Sequence, residues 1–187
     1  MKHAIKKIIL FFIAGTLMIT SCNKNDSITP DRKSEPEKMF VFNFKSSNIK
    51  EFQKITSENV MNLVKEEVKD FFGNRLDFII PTEIKVKDDS LYIKKMYGIK
   101  EKYAARWHKD ELFLYNQSVD SWVYCGKLNG MNRFFLNIGL FTKLSPKDKS
   151  TLYFSGQDYS LNSHDKIRMA LNDTVIWLKL EVVLEKE

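Results

Sequence analysis

Residues that usually carry out catalysis or bind metals are few in this sequence of 187 residues, and their spacing does not assemble a site. His108 and His164 lie far apart, and neither a Cys-x-x-Cys pair nor an aspartate-rich calcium loop occurs. Glycine-rich phosphate loops and Gly-x-Ser-x-Gly nucleophile motifs are missing as well. The adjacent carboxylates Asp88-Asp89 and Asp110-Glu111 are typical of turns, whereas a glycosidase needs two carboxylates that face each other. The sequence therefore predicts a protein that is not an enzyme and holds no metal or cofactor.

Aromatic side chains recur in the middle of the chain, each at an apolar position of an alternating pattern. They could face one interior and line a cavity for an apolar or ring-shaped ligand. The alternative is that they fill a core, because aromatic residues are favoured in strands and in interiors. The candidate ligand-binding residues are Tyr97, Tyr103, Trp107, Trp122, Tyr124 and Phe134.

A basic run, from Lys85 to Lys109, passes through the same region. It could meet anionic lipid headgroups or a polyanionic glycan. Acidic residues interleave with it, which is also typical of a solvated sheet face. Glu101 shares its strand face with Tyr103 and Trp107, so an inward orientation would require a partner for its carboxylate. The basic run comprises Lys85, Lys87, Lys94, Lys95, Lys100, Lys102, Arg106 and Lys109.

Cys22 is the residue for which a covalent modification is predicted. A basic start precedes an apolar run of 12 residues, Ile8 to Ile19, which is typical of a secretory signal peptide and shorter than the ~20 residues of a membrane-spanning helix. The segment Ile19-Thr20-Ser21-Cys22 resembles the lipobox of bacterial lipoproteins. The resemblance implies a signal peptide over residues 1–21 and an acylated Cys22 that anchors the chain to a membrane of the bacterial cell envelope. Asn23 resembles the signal for outer-membrane sorting.

Composition separates a polar linker from a folded domain. Residues 22–38 are predicted to be the lipidated cysteine and a flexible tether, because this stretch holds too little apolar surface to order itself. As a coil, its 16 residues after Cys22 would span roughly 20–25 Å. Residues 39–187 have the size of one domain. The net charge falls from +6 to +3 without the three lysines of residues 1–21, which does not indicate a nucleic-acid partner.

One helix is predicted after the first strand, over residues 56–72. Thr56 or Ser57 can cap it, and Gly73 is a natural end. Its apolar face recurs at helical spacing. That face would consist of Val60, Val64, Val68, Phe71 and Phe72.

Most other segments alternate with a period of two and predict strands. Hairpin turns are predicted at Lys87–Ser90, at His108–Glu111 and at Asn129-Gly130. A strand is also predicted at Ile167–Leu171, and the clearest alternation in the chain runs from Ile176 to Leu184. The predicted fold is mainly β, an antiparallel up-and-down meander or barrel of about eight strands with one helix after the first strand.

This order of elements in residues 39–187 resembles the calycin group, which contains the lipocalins and the fatty-acid-binding proteins. Residues 39–44 lack the Gly-x-Trp hallmark of lipocalins, so that the resemblance is one of topology. It implies a lipocalin-like domain that binds a small apolar ligand without catalysis. The alternative hypothesis is a structural or inhibitory module with a filled core that binds another envelope protein. Cavity volume distinguishes the two hypotheses.

Overall fold

The computed structural model of the protein describes residues 39–147 and 150–186. The predicted signal peptide, Cys22 and the predicted tether lie outside these residues. No helix in the described part is long and apolar enough to cross a membrane. Two short helices, α1 (Val68–Phe72) and α2 (Arg75–Ile79), accompany ten strands. The strands are β1 (Met39–Ile55), β2 (Val60–Asn62), β3 (Pro81–Lys87), β4 (Ser90–Lys95), β5 (Lys100–His108), β6 (Glu111–Asn116), β7 (Ser121–Asn129), β8 (Arg133–Lys147), β9 (Ser150–Asp158) and β10 (Thr174–Lys186).

Eight of these strands close into a barrel. Strands β3 to β8 each pair antiparallel with the next, β1 pairs with β3, and β10 joins β1 to β8. Strands β2 and β9 extend the sheet through β1 and β8. The predicted mainly-β class is therefore confirmed, as is the barrel of about eight strands with helical structure after the first strand. The closed barrel is consistent with a calycin-like architecture.

Tight turns set the register of the barrel where the sequence predicts them. Asp88, Lys109 and Gly130 have positive φ angles of 52°, 55° and 67° in the β3–β4, β5–β6 and β7–β8 connections. Aspartate and glycine are frequent in this conformation, which matches the twist of the flanking strands. All three turns lie at the same end of the barrel because every second connection of an up-and-down meander returns to that end.

The chain after β1 differs from the predicted helix. Thr56 closes a hairpin turn to β2, and its Oγ1 accepts a hydrogen bond from the N–H of Asn59 at 3.1 Å. The helix prediction was therefore wrong for residues 56–64, whereas Lys65–Glu67 form a 3₁₀ helix and Val68–Phe72 are α-helical. A hydroxyl that can cap a helix can also close a turn, and here the turn extends the sheet.

Helices α1 and α2 cover one end of the barrel. Val68, Phe72 and Ile79 are buried in the main core, whereas Phe71 is 43% exposed. Gly73 ends α1 as predicted, since its φ of 49° is in the left-handed region. This arrangement gives the barrel one end closed by helices and an opposite end closed by its hairpins.

The chain between β8 and β10 also differs from the prediction. The strand predicted at Ile167–Leu171 was wrong, because this stretch is irregular and Leu171 is 77% exposed. Strand β9 was not predicted, yet it pairs with β8 from Gly139↔Asp158 to Lys147↔Ser150. Thr151–Gln157 lacks a regular apolar alternation, so the sequence offers no period-2 signal there.

The irregular segment packs on the outer face of the barrel around Trp177, which is fully buried there. The Trp177 Nε1–H donates to Glu51 Oε2 at 2.7 Å. A carboxylate oxygen of Asp173 accepts from the Ala170 N–H at 2.8 Å and lies 3.3 Å from Lys143 Nζ. The Asp173–Lys143 ion pair fastens the segment to β8, and the Trp177–Glu51 hydrogen bond joins β10 to β1 beside this small second core.

Candidate functional site

The six predicted ligand-binding residues do not share one interior. Three of them, Tyr103, Trp107 and Phe134, pack against or belong to the main core inside the barrel. The other three lie elsewhere: Trp122 and Tyr124 on the outer face, and Tyr97 on the turn between β4 and β5, where it is 73% exposed.

A β-bulge in β7 explains why Trp122 and Tyr124 point outward. Leu112 of β6 pairs with Gly126, but the next pair is Phe113 with Tyr124, so that Cys125 is the extra residue. One extra residue reverses the alternation, and positions that share parity on either side of it face opposite ways. The shared-interior hypothesis was therefore wrong for Trp122 and Tyr124, because it assumed an unbroken alternation.

The interior of the barrel is filled by side chains. The Phe134 ring is fully buried, 5.7 Å from the Phe42 ring and 6.0 Å from the Trp107 ring between centroids. Below it, a Cβ placed on Gly126 would lie only 2.8 Å from the Phe134 ring. Phe40 adds a further edge contact to Trp107 at 6.2 Å. Side chains of an eight-stranded barrel can fill its interior in this way.

A polar cluster lies inside the end that the helices cover. Lys95 Nζ lies 2.6 Å from Glu101 Oε1, and the Tyr103 hydroxyl donates to Glu101 Oε2 at 3.1 Å. Tyr159 completes the cluster, with its ring 5.4 Å from Lys95 Nζ and its hydroxyl donating to Ile79 O at 3.1 Å. The inward-facing Glu101 thus has the partner that its burial requires. The sequence identified neither Lys95 nor Tyr159 as this partner. The alternating pattern that predicted the face of Glu101 belongs to β5, whereas Lys95 lies in β4 and Tyr159 follows β9.

The void beside this cluster measures about 40 Å³ and is lined by Lys95, Glu101, Tyr103 and Tyr159, among others. Burial raises the pKa of the Tyr103 and Tyr159 hydroxyls, and the nearby Glu101 carboxylate raises them further. Both phenols therefore stay protonated and act as hydrogen-bond donors. Larger clefts, such as one of about 670 Å³ beside His108–Glu111, are open to solvent.

The Cys125 thiol is fully buried at the bulge. Burial raises the pKa of this thiol, which suppresses the reactive thiolate. Within residues 39–147 and 150–186, no group of three His, Cys, Asp or Glu side chains is placed to hold a metal ion.

The outer face of β3, β4 and β5 concentrates positive charge. Tyr92 lies at its centre, paired with Lys85 on one side and Lys102 on the other. Lys102 Nζ lies 5.3 Å from the Tyr92 ring, and the Arg106 guanidinium stacks 4.5 Å above the Trp122 ring. We define the basic face as Lys85, Lys87, Lys94, Lys100, Lys102 and Arg106.

Strand β9 has an open edge. It pairs with β8 and with no other strand of the described part, and it projects with β8 beyond the end that the helices cover. Leu152, Tyr153 and Phe154 are 42%, 73% and 48% exposed. From Ser150 to Gln157 the strand has neither charge nor proline, the features that usually protect an edge from pairing. At its base, Arg75 donates to Thr142 Oγ1 at 3.1 Å and links the hairpin to α2.

Comparisons of the chain with protein-family models, with curated proteins and with solved structures find no match. Function must therefore be inferred from the geometry: a filled barrel, a basic face on β3–β5 and an open edge on β9.

Proposed function

We propose that this protein is a lipid-anchored interaction module of the bacterial envelope, which binds another envelope protein without catalysis. The observation that carries the proposal is the filled barrel. Because the core side chains inside the barrel are buried and pack against one another, the surface is the part of the domain best placed for recognition.

A small apolar ligand is less well supported. Pockets for such ligands usually measure about 300–1,000 Å³ and are lined mostly by apolar groups. The internal void of about 40 Å³ is much smaller, and Lys95 and Glu101 line it. The three candidate rings that do lie inside, Tyr103, Trp107 and Phe134, contact other rings of the core edge to face.

The open edge of β9 is the surface best suited to a protein partner. An extended segment can add to such an edge through backbone hydrogen bonds, while side chains on alternate positions give specificity. Leu152 and Tyr153 offer apolar contacts on opposite faces of the strand, because neighbouring residues of a strand alternate. The partner that fits is an envelope protein with an uncharged, extended segment.

Replacing Leu152 by lysine tests the proposal, since a charged residue on an edge strand opposes pairing. Val119→Lys is the matched control, because Val119 is 58% exposed in the β6–β7 turn. The lipidated proteins are purified from membranes in mild detergent, and their native masses are measured. We expect the wild type and Val119→Lys to retain a second protein and Leu152→Lys to lose it.

Four results would contradict the proposal. The wild type could be recovered as a bare monomer, or Leu152→Lys could retain the partner as well as the control does. A complex of two copies would replace the envelope partner by a second copy of this chain. A bound apolar molecule, released on unfolding, would favour the ligand hypothesis instead.

A further inference from the structure

We infer that the basic face docks on the anionic surface of the membrane that carries the lipid anchor. The inference goes beyond partner binding at β9, and it rests on the anchor in the proposed function. It concerns how the barrel is oriented, which the anchor alone does not determine.

Charge on this part of the barrel is almost entirely of one sign. Glu83 is the acidic residue that shares the outer face of β3–β5 with the six cations, and its carboxylate lies 4.0 Å from Lys94 Nζ. Lys94 in turn pairs across the sheet with Lys100, and Lys85 and Lys102 flank Tyr92. A flat array of lysines is attracted to anionic lipids by about fivefold in affinity for each lysine near the surface.

The fold places the other acidic residues of the basic run either inside the barrel or at its hairpin end. Glu101 faces inward and pairs with Lys95, so neither of them contributes to the outer face. Asp88, Asp89 and Asp110 lie in the turns at the hairpin end of the barrel, where Asp88 Oδ2 lies 4.0 Å from Lys87 Nζ. The basic face is thus a product of the folded structure, because alternation sends Glu101 to the opposite side of the sheet from Lys100 and Lys102.

Aromatic rings on the same surface suit an interface between water and lipid. Tyr92 is 38% exposed at the centre of the basic face, and Trp122 lies directly under Arg106. Tyrosine and tryptophan are enriched where one end of a side chain is apolar and the other is wet. Lysine and arginine stems can likewise cover apolar surface while their charges reach the headgroups.

The predicted tether joins the domain at the edge of this face. Met39, the first described residue, pairs with Lys87, and Val41 pairs with Lys85. The point at which the predicted tether enters the domain therefore lies on the same side of the barrel as the basic face. Strand β8 lies four strands from β4 in either direction around the barrel. Docking through β3–β5 therefore leaves the open edge of β9 directed away from the membrane.

Lysine footprinting of the lipidated protein tests the inference. The protein is reconstituted on vesicles of phosphatidylcholine alone or rich in phosphatidylglycerol, and modification of each lysine by an acylating reagent is followed by mass spectrometry. We expect modification of Lys94, Lys100 and Lys102 to slow by about fivefold or more on the anionic vesicles. Lys54 and Lys166, which are exposed elsewhere, should react equally on both. Protection should vanish near 1 M salt, where the Debye length is about 3 Å.

The double variant Lys94→Glu/Lys102→Glu should lose the protection of Lys100, whereas Lys54→Glu/Lys166→Glu should keep it. Unprotected lysines on a protein that floats with the vesicles would overturn the inference and leave the anchor intact. A protein that does not float would contradict the anchor itself. Protection by soluble dextran sulfate, with none on anionic vesicles, would overturn membrane docking in favour of a polyanionic glycan.

Discussion

Phe134→Ala is expected to remove a large part of the stability of the barrel. Phe134 lies in β8 with no exposed surface, and its ring contacts the rings of Phe42 and Trp107. Gly126 lies beneath the ring and has no side chain that could move into the vacated space. The strands on both sides are paired, so the backbone cannot collapse onto the hole.

The expected loss follows from these contacts. Phenylalanine-to-alanine changes in cores cost about 3–5 kcal/mol, and sites that cannot collapse lie in the upper part of that range. We therefore expect a loss of about 4–5 kcal/mol in the free energy of unfolding, against a typical domain stability of about 5–15 kcal/mol. Phe154→Ala is the matched control: Phe154 is 48% exposed on β9, so its loss should be about 1 kcal/mol or less.

Urea unfolding followed by tryptophan fluorescence measures both variants, since Trp107 and Trp177 lie in the two cores. The hole left by Phe134→Ala should also bind benzene, which would raise the stability of the variant and leave the wild type unchanged. A loss below about 1 kcal/mol for Phe134→Ala, close to that of the control, would refute the reasoning. So would stabilisation of the wild type by benzene, because the interior would then be hollow.

Three further predictions concern the anchor, the outer core and the polar cluster. Cys22→Ser should leave an uncleaved or soluble product; unchanged mature size and membrane retention in cell fractions would contradict acylation. A hydrogen bond from Ser145 lowers the pKa of Asp173 in the folded state. The ionised carboxylate therefore contributes its full stabilisation above the ordinary aspartate pKa of about 3.9. This stabilisation is lost as the pH falls through the lowered pKa of the folded state. Asp173→Asn should therefore be less stable than the wild type at pH 7, and urea titrations should find this difference shrinking below about pH 4; a constant difference would exclude the linkage. Glu101→Gln should lower the free energy of unfolding by about 2 kcal/mol, because it removes the charged partner of Lys95. Adding Lys95→Met to this variant should restore part of the lost stability. An unchanged melting temperature for Glu101→Gln would contradict a tight ion pair.

The architecture of the barrel was predictable because local signals agree with the final fold. Alternation from Ile176 to Leu184 matches β10, whose apolar positions at even numbers are all buried. The Asn129-Gly130 turn fixes the register of β7 and β8, since Gly130 adopts the positive φ that such a turn requires.

The candidate site was less predictable, because it depends on a single inserted residue and on tertiary context. The bulge at Cys125 has no distinctive pattern of polarity, yet it decides which side of the barrel Trp122 and Tyr124 occupy. Strand β9 lacks apolar alternation because neither of its faces is buried: Leu152 and Tyr153, on opposite faces, are both exposed. The basic face could not be delimited from the sequence alone, because Lys95 of the basic run also points inward, where it pairs with Glu101.

Site-specific photocrosslinking in cells tests most directly whether the open edge of β9 is the binding surface. A photoreactive phenylalanine replaces Tyr153 in one variant of the full chain and Tyr97 in another, since both tyrosines are 73% exposed. The account predicts a crosslink to one envelope protein from position 153 and none to that protein from position 97. Absence of any protein crosslink from position 153, or equal crosslinking from both positions, would contradict it.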